Sequence, residues 1–69
     1  MLRDTIAYKT MDAFTAAMRL DGVEGYEAPD EETFLATCQW LHDTRIAYQL
    51  QGRVGRTVND LVEGGYIAA

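Results

Sequence analysis

Serine is absent from this 69-residue chain, and cysteine and histidine occur once each. Each shortage removes a class of chemistry. A single cysteine, Cys38, cannot form an internal disulfide. Cys38 and His42 stand four apart, on one side of a helix, but they offer two ligands where structural zinc takes four. No serine nucleophile exists. His42 and Asp43 are neighbours, so on a helix they point about 100° apart and make no acid–base pair. Cys38 falls on an inward-facing stripe and reads as a small buried hydrophobe rather than a nucleophile activated by His42. No catalytic residues, metal or cofactor are therefore expected, and the chain does not read as an enzyme. No apolar run approaches the ~20 residues that span a bilayer. Met1-Leu2-Arg3-Asp4 lacks an apolar signal core, so nothing suggests export. A lone free thiol fits a reducing cytoplasm.

What remains is a small, apolar and acidic chain. Hydrophobic residues make up 48%, which is globular rather than disordered. One domain is expected over residues 1–69. A chain of this length buries only about 60% of its unfolded surface. Without staples or metal, the expected remedy is self-association into a homo-oligomer. The net charge is -5, and it is unevenly placed. Asp21, Glu24, Glu27, Asp30, Glu31 and Glu32 crowd residues 20–32 with no base among them. Arg45, Arg53 and Arg56 hold residues 44–59 with no acid. So few bases displace few counterions, which argues against general nucleic-acid binding. The acidic balance favours a basic protein partner.

Leu2, Ile6 and Tyr8 have even spacing, which predicts a short extended arm over residues 1–9. Thr10 can cap a first helix over 10–20, with Asp12 in its first turn. Met11, Phe14, Ala17 and Met18 fall on its inward face, widened by Ala13 and Leu20. Asp12, Thr15 and Arg19 fall opposite. Gly22 can take the left-handed conformation that stops the helix. A loop follows, and Pro29-Asp30-Glu31-Glu32 opens a second helix over 30–43. Its inward stripe is Phe34, Cys38 and Leu41, flanked by Leu35 and His42. Trp40 points away from that stripe and needs a second surface to cover it. Residues 44–50 read as a short helix or turn. Gly52 and Gly55 bracket a break, and a last helix covers 55–63 with Val54, Val58, Leu61 and Val62 inward. Gly64-Gly65 ends it, and Tyr66-Ile67 can fold back on the core. No internal repeat or low-complexity segment is present.

Two surfaces are candidate sites. Gly52, Arg53, Gly55, Arg56 and Thr57 could bind phosphate through backbone amides at a helix start and arginine charge. The motif is not a Walker loop, because Leu50 and Arg56 stand where that motif needs glycine and lysine. The same residues also fit a plain turn, with Arg56 paired to Asp60 at i, i+4. The second candidate is the acidic loop, with Glu24, Glu27, Glu31 and Glu32, together with the aromatics Trp40, Tyr48 and Tyr26. Large aromatics dominate binding energy where they lose water. The competing readings are a solvated loop and a small core completed by those rings. A helix-turn-helix with 56–63 as the recognition helix would turn Asp60 and Glu63 towards phosphates, which is unfavourable.

The run from Gln39 to Val58 resembles a family of very small bacteriophage-encoded proteins of uncharacterised function. Asp43-Thr44 and Leu50-Gln51-Gly52-x-x-Gly55-Arg56-Thr57 carry the likeness, which extends over about residues 10–67. Arg45 stands where that family has glycine, His42 where it has an aliphatic residue, and Val54 where it has an aromatic one. A left-handed Arg45 would be strained by about 1 kcal/mol, and a half-buried His42 is expected. The resemblance brings no catalytic residues. It implies a phage accessory protein in the host cytoplasm that binds a host protein or defence component stoichiometrically, as an inhibitor or modulator. The alternatives are sequestration of a phosphate or nucleotide ligand at Gly52–Thr57, or weak DNA binding as an accessory factor. The fold expected is all-α, a small three-helix domain with a short N-terminal arm.

Overall fold

Helices begin where a side chain satisfies the amide donors that a first turn leaves unpaired. Thr5 accepts the Tyr8 N–H at 3.1 Å and starts the single turn α1 (Ile6–Lys9). Asp12 accepts the Thr15 N–H at 2.7 Å and starts α2 (Ala13–Leu20). Asp30 does the same for Thr33, also at 2.7 Å, and starts α3 (Glu31–Asp43). These amide bonds hold the Asp12 and Asp30 carboxyls below the usual carboxylate range. The fourth helix, α4 (Arg53–Glu63), starts at Gly52 with no side-chain cap. Two 3₁₀ turns, Leu2–Asp4 and Ile46–Tyr48, complete the chain in this computed structural model, which describes residues 1–50 and 52–69.

The three longer helices are followed by left-handed residues. Gly22 has φ 73°, and the Val23 N–H reaches back to the Met18 carbonyl at 3.0 Å. Gly65 has φ 79°, and the Tyr66 N–H reaches the Leu61 carbonyl at 2.9 Å. Both are the six-to-one bond of a Schellman end, which only a residue tolerant of positive φ permits. After α3 the same position falls to Arg45, at φ 65°.

Each of the other elements packs against α3. Its second half is therefore buried on almost every side: Ala36, Thr37, Cys38, Gln39, Leu41 and His42 are all inside. Ala16, Ala47, Val54, Val58 and Ile67 close the core around it. The expected all-α, three-helix architecture is what forms.

Several local expectations change. Residues 1–9 are not an extended arm but a 3₁₀ turn and a helical turn. An extended arm would leave amides without partners, whereas Thr5 supplies a local cap. The first helix begins at Ala13 rather than at residue 10, because Asp12 is its cap and not a first-turn residue. The second begins at Glu31, with Pro29 outside it. The last begins at Arg53, two residues early. The face of α2 is also rotated. Ala16 is fully buried while Phe14 is 62% exposed. Arg19, expected outside, donates to the Tyr26 carbonyl at 3.1 Å and the Thr37 hydroxyl at 3.0 Å.

Candidate functional site

The acidic segment is anchored at three points. Arg19 ties the Tyr26 backbone to Thr37 on α3. Gly25 donates its N–H to Glu27 at 3.0 Å. Tyr26 sets its ring edge-on to Phe14, with centroids 5.9 Å apart and planes 73° apart. Edge-to-face aromatic pairs of this geometry hold each other in place. Glu24, Glu27, Glu31 and Glu32 are all exposed. None of them lies within 4 Å of a cation among the described residues. The structure thus sets the exposed Phe14 of α2 against the half-buried Tyr26 of a loop whose charge is wholly negative.

Trp40 and Tyr48, the other expected binding aromatics, are placed differently. Trp40 is half-buried and packs on the core, so this chain supplies the second surface that its position demands. Tyr48 is exposed along one edge, and its hydroxyl lies 2.7 Å from His42 Nδ1. Their rings also meet edge-on, at 5.7 Å and 87°. His42 is buried rather than half-buried. Phe14 is the aromatic that sequence reasoning misplaced. The clue was Ala16, which with Leu20 makes a narrower apolar stripe than Met11 and Phe14 do.

The Gly52–Thr57 stretch is mostly helix. Arg53, Gly55, Arg56 and Thr57 all lie within α4, and Gly52 precedes it with φ 84°. A Cβ on Gly55 would stand 2.9 Å from the Ala47 carbonyl oxygen. The bare face of Gly55 is therefore occupied by the 3₁₀ turn Ile46–Tyr48, not open to an anion. Arg53 and Arg56 are exposed, and among the described residues no carboxylate lies within 4 Å of either. The Arg56–Asp60 pair of the plain-turn reading is not formed. Gln51, part of the motif, lies outside the described residues.

Cys38 is fully buried, and burial pushes its thiol up to about 12. A protonated, sealed thiol is a poor nucleophile. Among the described residues no three His, Cys, Asp or Glu side chains gather as a metal site. No helix there is long and apolar enough to cross a membrane.

Asp43 joins distant parts of the chain. Arg3 donates to both of its oxygens at 2.7 Å, the Tyr8 hydroxyl to Oδ2 at 2.6 Å, and Gln39 Nε2 to Oδ1 at 3.1 Å. The Arg3 guanidinium, with help from Tyr8 and Gln39, holds the Asp43 carboxyl well below the usual range. Gln39 also exchanges two hydrogen bonds with the Ala68 backbone, at 2.9 and 2.7 Å. A groove of about 340 Å³ opens beside this hub, lined by Leu2, Arg3, Gln39, Tyr66 and Ile67 among others. None of the sequence-predicted site residues lines it. Several residues of the run from Gln39 to Val58 have structural work: Asp43 as hub, Thr44 bonding the Trp40 carbonyl at 2.8 Å, and Gly55 at a close approach. No family model, curated protein or solved structure matches the chain.

Proposed function

We propose that this chain works by binding a basic surface of another protein through its acidic loop, with Phe14 and Tyr26 as the apolar anchor. One observation carries the reading: Phe14 is 62% exposed yet held edge-on by Tyr26 inside a segment that Arg19 ties down. A preorganised ring in an acidic rim is what a hot spot for a basic partner requires. The resemblance to small phage proteins supplies the setting. The partner would be a host protein or defence component in the host cytoplasm, held stoichiometrically as an inhibitor or modulator.

The test begins with capture from host lysate and continues with the captured protein purified. Titration should then show that Phe14→Ala weakens binding by about thirtyfold, the effect of a 2 kcal/mol anchor. Glu24→Lys with Glu27→Lys should weaken it too, and added salt should slow association. Trp40→Ala should act mainly on stability. Binding that ignores Phe14 and both glutamates would overturn the reading.

A phosphate or nucleotide ligand at the start of α4 is the second reading. It is favoured by the absence of a side-chain cap at Gly52 and by the exposed Arg53 and Arg56, neither with a carboxylate within 4 Å among the described residues. It predicts a nucleotide-induced rise in melting temperature that Arg56→Ala abolishes. DNA binding is disfavoured, since Asp60 and Glu63 are exposed on the same helix.

A further inference from the structure

The helix α3 separates two unlike ends of the molecule. Its first turn carries the exposed Glu31 and Glu32, and the acidic loop before it holds the exposed Val23 and the half-buried Tyr26, whose ring meets the exposed Phe14 of α2. Beyond its last turn lie Arg45, the turn Ile46–Tyr48 and the start of α4. Tyr48 and Leu50 are exposed there, and Gly55 presses α4 against that turn. Arg45, Arg53 and Arg56 are exposed at this end, with no carboxylate within 4 Å among the described residues. The 13 residues of α3 make it about 20 Å long at 1.5 Å per residue, and among the described residues no ion pair within one copy joins the acidic loop to these arginines.

Each end is an apolar patch beside charge of one sign, and the two signs are opposite. We infer that the Phe14–Tyr26 face is covered by the Tyr48–Leu50 end of a second copy of this chain. The two copies lie antiparallel, so that each contact is made twice and the pair closes on a twofold axis. Parallel copies would set acid against acid. Antiparallel copies bury Phe14, Tyr48 and Leu50 while matching carboxylates to arginines that make no ion pair at home among the described residues. The pairing does not rest on a foreign partner. It would be the state of the chain before such a partner displaces the second copy.

Charge reversal and mixing test it by sedimentation of the full chain. Glu24→Lys, Glu27→Lys, Glu31→Lys and Glu32→Lys together leave only Asp21 and Asp30 against four lysines, so both ends become basic. Arg53→Glu with Arg56→Glu makes both ends acidic. The unaltered chain should sediment at twice its mass at high micromolar concentration. Each charge-reversed variant should be monomeric alone, and an equimolar mixture of the two should recover the dimer. Phe14→Ala should raise the dissociation constant about tenfold or more. Circular dichroism confirms that each variant is helical. If one charge-reversed variant is unfolded, Phe14→Ala and the other variant still decide the matter. An unaltered chain that stays monomeric at millimolar concentration, or a mixture that does not associate, would overturn the inference. A monomer that still binds a host protein would do so while leaving the proposed function intact.

Discussion

Arg45 is the described residue other than glycine with a left-handed backbone, at φ 65°. It stands where α3 must turn into the Ile46–Tyr48 segment, and its N–H closes on the His42 carbonyl at 3.1 Å. An L side chain there crowds the following carbonyl, a cost of about 1 kcal/mol that glycine escapes. Arg45→Gly is therefore expected to stabilise the chain by about 1 kcal/mol, seen as a rise in melting temperature of about 4–8 °C in thermal unfolding. An unchanged or lower temperature would mean that the arginine makes a compensating contact. At the level of sequence a left-handed Arg45 was only a conditional, since an arginine carries no local signal for positive φ. Phe14 was not legible. Spacing put it with Met11 and Met18, yet the smaller Ala16 takes the buried position and lets Arg19 turn inward, its guanidinium satisfied by Tyr26 and Thr37. A period of 3.6 residues fixes that a face exists, but the neighbour chooses which arc it is.

Between elements, the closest approach runs from α4 to the turn Ile46–Tyr48. Gly55 sits inside α4, where alanine would ordinarily gain about 1 kcal/mol of helix propensity. Here the added Cβ would meet the Ala47 carbonyl oxygen at 2.9 Å, a backbone atom that moves only with its whole turn. Gly55→Ala should thus lower stability by about 1–3 kcal/mol despite the better propensity, measured by urea unfolding. Stabilisation by this substitution would show that the two elements slide apart freely. The elements themselves were largely readable from local signals. Caps, the glycine stops at Gly22 and Gly64-Gly65, and the apolar spacing of Val54, Val58, Leu61 and Val62 act within a turn or two. The two boundaries moved because Asp12, two residues inside the first expected helix, and Asp30, the first residue of the second, are both caps. The N-terminal segment moved because alternation over so few residues does not distinguish a strand from a short helical turn, and no described strand offers it a partner.

Across the whole molecule, Asp43 binds residues 40 and 35 positions away, Arg3 and Tyr8, and through Gln39 it meets the backbone of Ala68. No local pattern announces such a hub, since its partners come together only after α3 is packed. Its charge makes the fold sensitive to acid. Arg3 holds the Asp43 carboxyl below its usual range, with Tyr8 and Gln39 adding to that effect. The unfolded carboxyl titrates near 3.9, so it binds a proton at a pH where the folded one does not. The stabilisation is fully present above that pH and drains away as pH falls through the lower folded value. Asp12 and Asp30, depressed by their cap bonds, push in the same direction. The melting temperature should therefore be level near neutrality and decline below about pH 4. Asp43→Asn keeps the shape but loses the charge on three donors. It should cost about 1 kcal/mol at pH 7, a modest figure because solvent screens the part-exposed Arg3 side chain. It should also flatten the acid decline, because a residue that no longer titrates cannot contribute to the slope. Tyr8→Phe should give a smaller loss of the same kind at pH 7, where the phenol, raised by Asp43, is fully protonated and donating. If the Asp43→Asn variant kept the full acid slope, the ends of the chain would have to be held by something other than this carboxylate.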